Sequence, residues 1–270
     1  MKLFDSHCHL DDSVYDPDFE PVLERARNAG VSAMMIAGIN LKTSKKAVAL
    51  SEAHAEIFAS VGFHPHDASE AGESGMKTLE KLAGHPKVLA WGEIGLDFNR
   101  MHSPKNIQEK WLIRQLAVAD CLDLPVIFHE RESSGRLLDI LKQCHQHPGN
   151  GVIHCFSGTR SELSQYLDLG YFIGITGILT IQSRGADLRK LATEIPRNRI
   201  LIETDAPYLT PAPEKNHTRR NEPAFVRSVL LKLAEVREED PNELADVLWA
   251  NTCRLFRIPL DMECFCSYCE

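Results

Sequence analysis

The chain has 270 residues, of which 43% are hydrophobic and 25% are charged, and this composition excludes a disordered or collagen-like protein. A net charge of −8 excludes a broad basic surface for wrapping duplex DNA, so any contact with nucleic acid must be local. No apolar run reaches the roughly 18 to 20 residues of a membrane span, and "MKLFDSHCH" lacks the charged-then-apolar order of an export signal. We expect a cytoplasmic protein that makes no contact with a membrane.

Eight cysteines are too scattered to predict a disulfide framework. Five lie in core-like segments, where free thiols behave as small hydrophobes, and fit a reducing compartment: Cys8, Cys121, Cys144, Cys155 and Cys253. The other three crowd the tail 259–270: Cys264, Cys266 and Cys269. This tail either binds a metal, with Cys253 or a second chain as the fourth ligand, or is a mobile polar end with reactive thiols. We predict one domain over residues 1–258.

Short apolar runs recur eight times along the chain. In chain order they are "KLFDSH", "VSAMMIA" from Val31, "EIFASVGF" from Glu56, "VLAWGEIGL" from Val88, "PVIFHE" from Pro125, "GVIHCF" from Gly151, "YFIGIT" from Tyr171 and "RILIETD" from Arg199. Runs that are apolar at consecutive positions, without clean alternation, are typical of strands buried on both faces of a parallel sheet.

The segments between these runs have helical spacing. In "KNIQEKWLIRQLAVADCLD" the apolar stripe is predicted to contain Ile107, Trp111, Val118 and Leu122, with Asp120 facing away. Strand and helix therefore alternate about eight times in a chain near the roughly 250 residues typical of a (β/α)8 TIM barrel. This pattern favours the barrel over an open doubly wound sheet, and the last helices are expected to pack on its outside.

The segment "DSHCHLD" places His7 and His9 two positions apart. Residues i and i+2 share a face on a strand, whereas on a helix they point in nearly opposite directions, so the pair converges only where a strand ends. In a barrel the reactive centre lies at the carboxyl ends of the strands. Further metal-ligand residue types close other predicted strands: His64 and His66, Glu93, His129, His154, and Glu203 with Asp205.

Imidazole and carboxylate ligands together suit Zn, Mn or Fe, and a site rich in carboxylates also takes Mg. The number of ligands exceeds what one tetrahedral ion needs, and a carboxylate with two oxygens can bridge two ions. We therefore predict two divalent metal ions (Mg, Mn or Zn), roughly 3.5 to 4 Å apart as in other two-metal hydrolases.

Eight motifs stand in order between residue 3 and about residue 257: "DSHCHLD", "GFHPH", "GEIGLDFNR", "PVIFHERES", "VIHCFSG", "IGITG", "ETDAPYL" and "RRNEPAFV". Together they resemble the TatD family of metal-dependent deoxyribonucleases, a branch of the amidohydrolase-like barrels. The resemblance implies a barrel of the metallo-dependent hydrolase type. It implies one ion on His7, His9, Glu93 and Asp205, and a second ion on Glu93, His129 and His154, with Glu93 bridging. Some members lack the first histidine pair, which this chain keeps.

Asp205 is the candidate catalytic base, placed to orient a water and take its proton, and the resemblance supports this role. Glu203 shares its strand face and is a second catalytic candidate, either supporting a histidine or water from behind or acting as a weak ligand. The expected phosphate-binding residues are Arg131, His64, His66 and Asn221, the last as the N-cap of a helix whose N-terminus favours anions. Arg220, next to it, either reaches the substrate or decorates a surface loop.

The sequence therefore predicts a metal-dependent hydrolase of phosphodiester bonds in DNA. An acidic protein with few local cations suits a substrate held by its end or as a short single strand, with RNA also possible. The resemblance implies 3′-to-5′ exonuclease action, and we expect a monomer that serves DNA repair. Two alternatives remain: a hydrolase of another bond, such as the ester of an aminoacyl-tRNA, and a non-catalytic interaction module.

Overall fold

A computed structural model describes residues 1–260. The predicted tail, with Cys264, Cys266 and Cys269, lies outside the described residues apart from its first two positions, so the domain boundary at residue 258 stays a prediction. The five cysteines predicted to be free thiols are free in the structure. Over residues 1–260, no helix combines the length and apolar character that a membrane span requires.

Eight parallel strands form one sheet in the order of the sequence, and each strand is hydrogen-bonded to the next. The strands are β1 Leu3–Cys8, β2 Val31–Ile36, β3 Ile57–Val61, β4 Val88–Asp97, β5 Val126–Arg131, β6 Gly151–Ile153, β7 Phe172–Ile175 and β8 Ile200–Ile202. Each coincides with one of the eight predicted apolar runs, although β1, β4 and β5 extend one residue beyond the run. β1 packs beside β8, where the Ser6 hydroxyl donates to the Ile202 carbonyl oxygen, so the sheet curves into the predicted (β/α)8 barrel.

Ten helices accompany the strands in the described part of the chain. They are α1 Phe19–Asn28, α2 Leu41–Ala53, α3 Glu73–Leu82, α4 Lys105–Leu122, α5 Arg136–Cys144, α6 Arg160–Asp168, α7 Ala186–Ala192, α8 Ala212–Lys215, α9 Val226–Arg237 and α10 Pro241–Phe256. Side-chain caps define several starts, as where Asn40 accepts from the amides of Lys42 and Thr43 at α2. Such caps satisfy amides that have no partner within the helix.

Helix α4 differs from its predicted pattern in its last turn. Trp111 and Val118 are buried as expected, but Leu122 is exposed and Asp120 is buried. Asp120 Oδ2 accepts a hydrogen bond from the backbone amide of Gln146, beyond α5, and Oδ1 lies 3.5 Å from His145 Nε2. The apolar stripe therefore ends one turn before the helix does.

The inside of the barrel is filled by apolar residues from every strand: Phe4, Ala33, Met35, Phe58, Ala90, Ile127, Val152, Phe172 and Leu201. Helix α10 adds Trp249 and Phe256 to this cluster, with ring centroids 5.9 and 6.2 Å from the Phe4 ring. Helix α10 packs against β1, β8 and α9, as expected for a helix on the outside of the barrel. Its large side chains also cover the end of the barrel at which the strands begin.

Candidate metal centre

Alternate residues of a strand point to the same face, so strands that fill the barrel interior also place side chains in the site. Ile127 and Val152 fill the interior, and His129 and His154 follow each of them by two positions on the same face. Glu203 follows the interior residue of β8 in the same way. These three polar side chains therefore meet above the apolar filling, at the carboxyl ends of the strands.

In β1 and β4, the side chains that enter the site follow an irregularity in strand pairing. The pairing slips within β1 after Asp5 and within β4 after Trp91. Such irregularities re-aim side chains, and here they turn His7 and Glu93 toward the barrel axis. Gly95 follows in β4, where a Cβ would overlap the carbonyl oxygen of the neighbouring strand β5. Only glycine allows β4 and β5 to approach this closely.

Four donor atoms converge where β1 meets β8. His7 Nε2 lies 3.3 Å from both His9 Nε2 and Glu93 Oε2, and 3.8 Å from Asp205 Oδ1. His9 Nε2 lies 3.8 Å from Glu93 Oε2 and 3.4 Å from Asp205 Oδ1. Ligands at about 2.0 to 2.2 Å from a tetrahedral ion are about 3.3 to 3.6 Å from each other. The four residues therefore fit a transition-metal ion.

The other oxygen of Glu93 faces a second group of histidines. Glu93 Oε1 lies 2.7 Å from His129 Nδ1, 3.5 Å from His64 Nε2 and 3.9 Å from His154 Nε2. His154 Nε2 is also 3.7 Å from Asp205 Oδ1. Because its two oxygens address different donor groups, Glu93 has the geometry of a bridging carboxylate. His64 lies closer to this centre than a phosphate-binding role predicts.

The buried carboxylates of the cluster favour a bound cation. Burial raises the pKa of Glu93, but the charges of His64 and His7 outweigh burial and hold that pKa well below its usual range. Burial lowers the pKa of His9, but hydrogen bonding to Asp205 and the nearby carboxylates raise it to about 9. The carboxylates likewise raise the pKa of His129 and His154 against burial, whereas burial lowers the pKa of His7 and His64. A divalent ion would supply the same positive charge, with the ligand histidines neutral.

Glu203 lies behind His154 and is fully buried. Its Oε1 is 2.8 Å from His154 Nδ1 and accepts from the amide of Cys155, while Oε2 lies 3.3 Å from the Ser6 hydroxyl oxygen. Gly174 provides the space, because a Cβ there would press on the Glu203 carboxylate. Glu203 therefore orients the His154 ring with Nε2 toward the centre, which is the geometry of the supporting alternative, and its catalytic role stays a prediction.

Asp97 supports the site more extensively than its sequence position indicates. Its Oδ1 accepts from the amides of Asn99 and Arg100, which orders the loop after β4. Its Oδ2 lies 2.7 Å from His66 Nε2 and 3.3 Å from His129 Nε2. Asp97 therefore also fixes two imidazoles, a role that the sequence reasoning missed although "GLDF" places it four residues after Glu93.

The prediction that Asn221 is a helix N-cap is wrong, and the residue is not available to bind phosphate. Helix α9 begins later, at Val226, and Asn221 is fully buried. Its amide nitrogen donates to the carbonyl oxygens of Thr204 and Tyr208, which uses both of its donors. Asn221 instead clamps the loop that carries Asp205.

Arg220 follows neither of its two sequence-based alternatives. It pairs with Asp18 at 2.7 Å and with Glu222 at 2.9 Å, and its guanidinium lies over the ring of Tyr15. Arg25 of α1 also pairs with Glu222, at 2.7 Å. This group of charges joins the loop after β1 to the loop after β8, so it holds His9 and Asp205 in fixed relation.

The donor groups open into a cavity of about 1270 Å³ at the carboxyl ends of the strands. Its wall contains His64, His66 and five cations: Lys42, Lys46, Arg100, Arg131 and Arg184. Lys46 is already paired with Asp16 at 2.8 Å. The guanidinium of Arg131 makes no hydrogen bond or ion pair within residues 1–260, so it is free to take an anion from the cavity.

Known proteins resemble this chain along nearly its whole length. The family profile described as "TatD related DNase" matches residues 4–257. A protein of Rahnella sp. (strain Y9602), named "3′-5′ ssDNA/RNA exonuclease TatD", is 42% identical over 259 residues, which cover 95% of this chain and 98% of the relative. An uncharacterized metal-dependent hydrolase of Bacillus subtilis, YabD, is 36% identical and is covered at 95% and 99%.

A solved structure agrees with these sequence relatives. The crystal structure of YJJV, a TatD homolog from Escherichia coli K12, superposes with a TM-score of 0.88 at 33% identity, covering 95% of this chain and 98% of that one. Because the family profile and the relatives align along nearly all of this chain and of theirs, the chain belongs to the TatD-related DNase family, as its motifs predict.

Proposed function

We propose that this protein is a metal-dependent nuclease that removes nucleotides from the 3′ end of single-stranded or frayed DNA, and of RNA. The observation that carries the proposal is the position of Glu93, whose two oxygens face separate groups of histidines at the base of an open cavity. The printed name of the Rahnella relative supports the polarity and the substrate class. Few cations around the cavity in a chain of net charge −8 favour a substrate held by its end.

In this proposal His7, His9, Glu93 and Asp205 hold one divalent ion, and Glu93, His129 and His154 hold a second. The ions are Mg, Mn or Zn, and when bound they lower the pKa of a water and neutralise charge on the phosphoryl group. We propose further that the enzyme acts as a cytoplasmic monomer in DNA repair.

The protein supplies position and proton transfer. Asp205 has a left-handed backbone, a conformation that aspartate tolerates, fixed by its amide donating to the His7 carbonyl oxygen at 2.9 Å. Burial raises the pKa of Asp205, but hydrogen bonding to His9 and the charge of His154 hold it below its usual value. The carboxylate is therefore ionised and can accept the proton of an attacking water.

Arg131 lies at the end of β5, two residues after His129, and its free guanidinium matches the geometry of a phosphate. His64 and His66 line the same cavity and complete the phosphate pocket. Attack of the water on the phosphorus then breaks the bond between the phosphorus and the oxygen of the leaving group. The products are a phosphate monoester and a free hydroxyl.

A comparison of labelled substrates tests the function. We expect the protein, supplied with Mg, Mn or Zn, to shorten single strands from the 3′ end, to degrade blunt duplexes slowly and to leave closed single-stranded circles intact. A chelator should abolish hydrolysis, because the donor set has no other cation to activate water. Product ladders from strands labelled at either end, run beside a labelled circle, RNA and aminoacyl-tRNA, provide the measurement. Rapid cutting of the circle would rule out end-directed action, and hydrolysis of aminoacyl-tRNA alone would replace the nuclease proposal.

Arg131→Ala should raise KM for single-stranded DNA by about 10- to 100-fold and change kcat much less, because a charge-assisted contact to phosphate contributes about 1.5 to 3 kcal/mol. The slope of log affinity against log salt should also become shallower by about 0.7, the value for one phosphate contact. Lys46→Ala is the matched control, because Asp16 already neutralises that cation. An equal loss in both variants, or a loss confined to kcat, would contradict this role for Arg131.

A further inference from the structure

Tyr208 stands out at the mouth of the cavity. Of the large hydrophobic residues exposed within residues 1–260, it is the one aromatic, and 55% of its surface is accessible. Its side chain lines the same cavity as Asp205 and His9, and its ring centroid is 5.9 Å from that of His9. The Tyr208 hydroxyl has no hydrogen-bond partner in the described part of the chain. Neither packing in the core nor a hydrogen bond of the hydroxyl therefore explains why an aromatic residue stands at this position.

The backbone of Tyr208 is held rigidly although its ring is exposed. Its amide donates to the Asp205 carbonyl oxygen at 2.8 Å, and its own carbonyl oxygen accepts from Asn221 Nδ2 at 2.6 Å. Asn221 is fully buried and also holds the Thr204 carbonyl oxygen, so it fixes the backbone on both sides of Asp205, including that of Tyr208. An aromatic side chain on a fixed backbone has only two torsions to order, so it loses little conformational entropy when a planar ligand packs on it.

The chemistry of the neighbouring groups identifies the planar ligand. A phosphate placed between the proposed ion site and Arg131 is one sugar away from a nucleobase, and Tyr208, three residues after Asp205, lines the same cavity. Every nucleobase has a π face, and stacking on an aromatic side chain is tolerant of base identity. In a duplex those faces are already stacked, and freeing a base costs a few kcal/mol.

We propose that Tyr208 is the platform on which a nucleobase flanking the cleaved bond stacks, and that this contact gives the site its preference for unpaired bases. The inference rests on the proposed nuclease function, because that function places a phosphate at the donor cluster. In this inference Tyr208 binds the substrate and takes no part in proton transfer.

Binding of single strands protected by phosphorothioate linkages tests the inference without turnover. The strands carry 2-aminopurine at the last, second or third position from the 3′ end. Wild-type protein should quench the fluorescence at the last or second position. Tyr208→Ala should abolish that quenching and weaken binding by about 5- to 100-fold, the range for loss of one aromatic stack. Tyr208→Phe should match the wild type, because stacking does not need the hydroxyl.

Two controls separate stacking from other effects. Val14→Ala removes a different exposed apolar side chain from the loop after β1 and should leave binding within twofold. An abasic sugar at the quenched position should remove the difference between wild type and Tyr208→Ala. In turnover, Tyr208→Ala should raise KM for single strands, with kcat nearly unchanged and the same metal content.

The outcomes distinguish this inference from the nuclease proposal. Normal cleavage by the wild type, with equal affinity and quenching in Tyr208→Ala, overturns the stacking role alone. If the wild type binds strands and quenches through Tyr208 but cuts no nucleic acid, the nuclease proposal fails and the base platform stands. If the wild type cuts strands but quenches none of them, the stacking role alone fails, and if it neither binds nor cuts any strand, both proposals fail.

Discussion

Glu93→Gln is expected to lower kcat/KM on single-stranded DNA by about a thousandfold or more. Its two oxygens face different donor groups, at 3.3 Å from His7 Nε2 and 2.7 Å from His129 Nδ1, so an amide weakens both proposed ion sites at once. Charge stabilisation by such ions is worth several kcal/mol in the transition state, and about 4 kcal/mol is a thousandfold in rate. Steady-state rates and the number of ions bound per chain measure the effect.

The fold should survive this substitution, because the apolar interior and the helix layer hold the barrel together rather than one carboxylate. Glu132→Gln is the matched control: it makes the same chemical change on the exposed loop after β5 and should leave the rate within twofold. Circular dichroism should agree among the three proteins. A Glu93→Gln variant that keeps two ions and near-normal activity would disprove the bridging role.

Asp205→Asn is expected to lower kcat by about 100- to 10,000-fold, the range over which general acid–base catalysis contributes. The amide oxygen can still act as a weak ligand beside His7 and His9, so at least one ion should remain, but the amide cannot accept the proton of an attacking water. Single-turnover rates together with metal analysis separate loss of chemistry from loss of ion.

Asp16→Asn provides the control for Asp205, because it removes the same charge from the wall of the same cavity at a residue paired with Lys46. It should leave kcat within twofold. A variant of Asp205 that turned over normally, or that showed the KM defect expected of Arg131→Ala, would mean that Asp205 acts only through binding.

The parts of the fold that repeat a simple period were predictable from sequence. Eight apolar runs become eight strands, and the period of two places His129 and His154 directly above interior residues. The position of Glu93 depends in addition on a register slip in β4, which periodicity does not encode. Its motif, rather than its spacing from Trp91, identified it.

Buried polar side chains that hydrogen-bond to the backbone were harder to predict. Gln108 and Gln115 of α4 look like solvent-facing positions, yet both are buried. Gln108 exchanges hydrogen bonds with the backbone of Asp97, and Gln115 does so with that of Phe63. Asn221 was misread for the same reason, since an amide beside a helix is typical of a cap. Which carbonyl such a side chain meets depends on tertiary contacts far away in the sequence.

The donor set at the junction of β1 and β8 combines residues that are far apart in the chain. His7 and His9 leave the ribosome about 200 residues before Asp205 and before Asn221, which clamps the Asp205 loop. The amide of Asp205 donates to the His7 carbonyl oxygen and that of His9 to the Ala206 carbonyl oxygen, so the earliest and latest strands complete each other. A nascent or truncated chain that stops before Asp205 therefore lacks the complete donor set, and we expect it to have no nuclease activity.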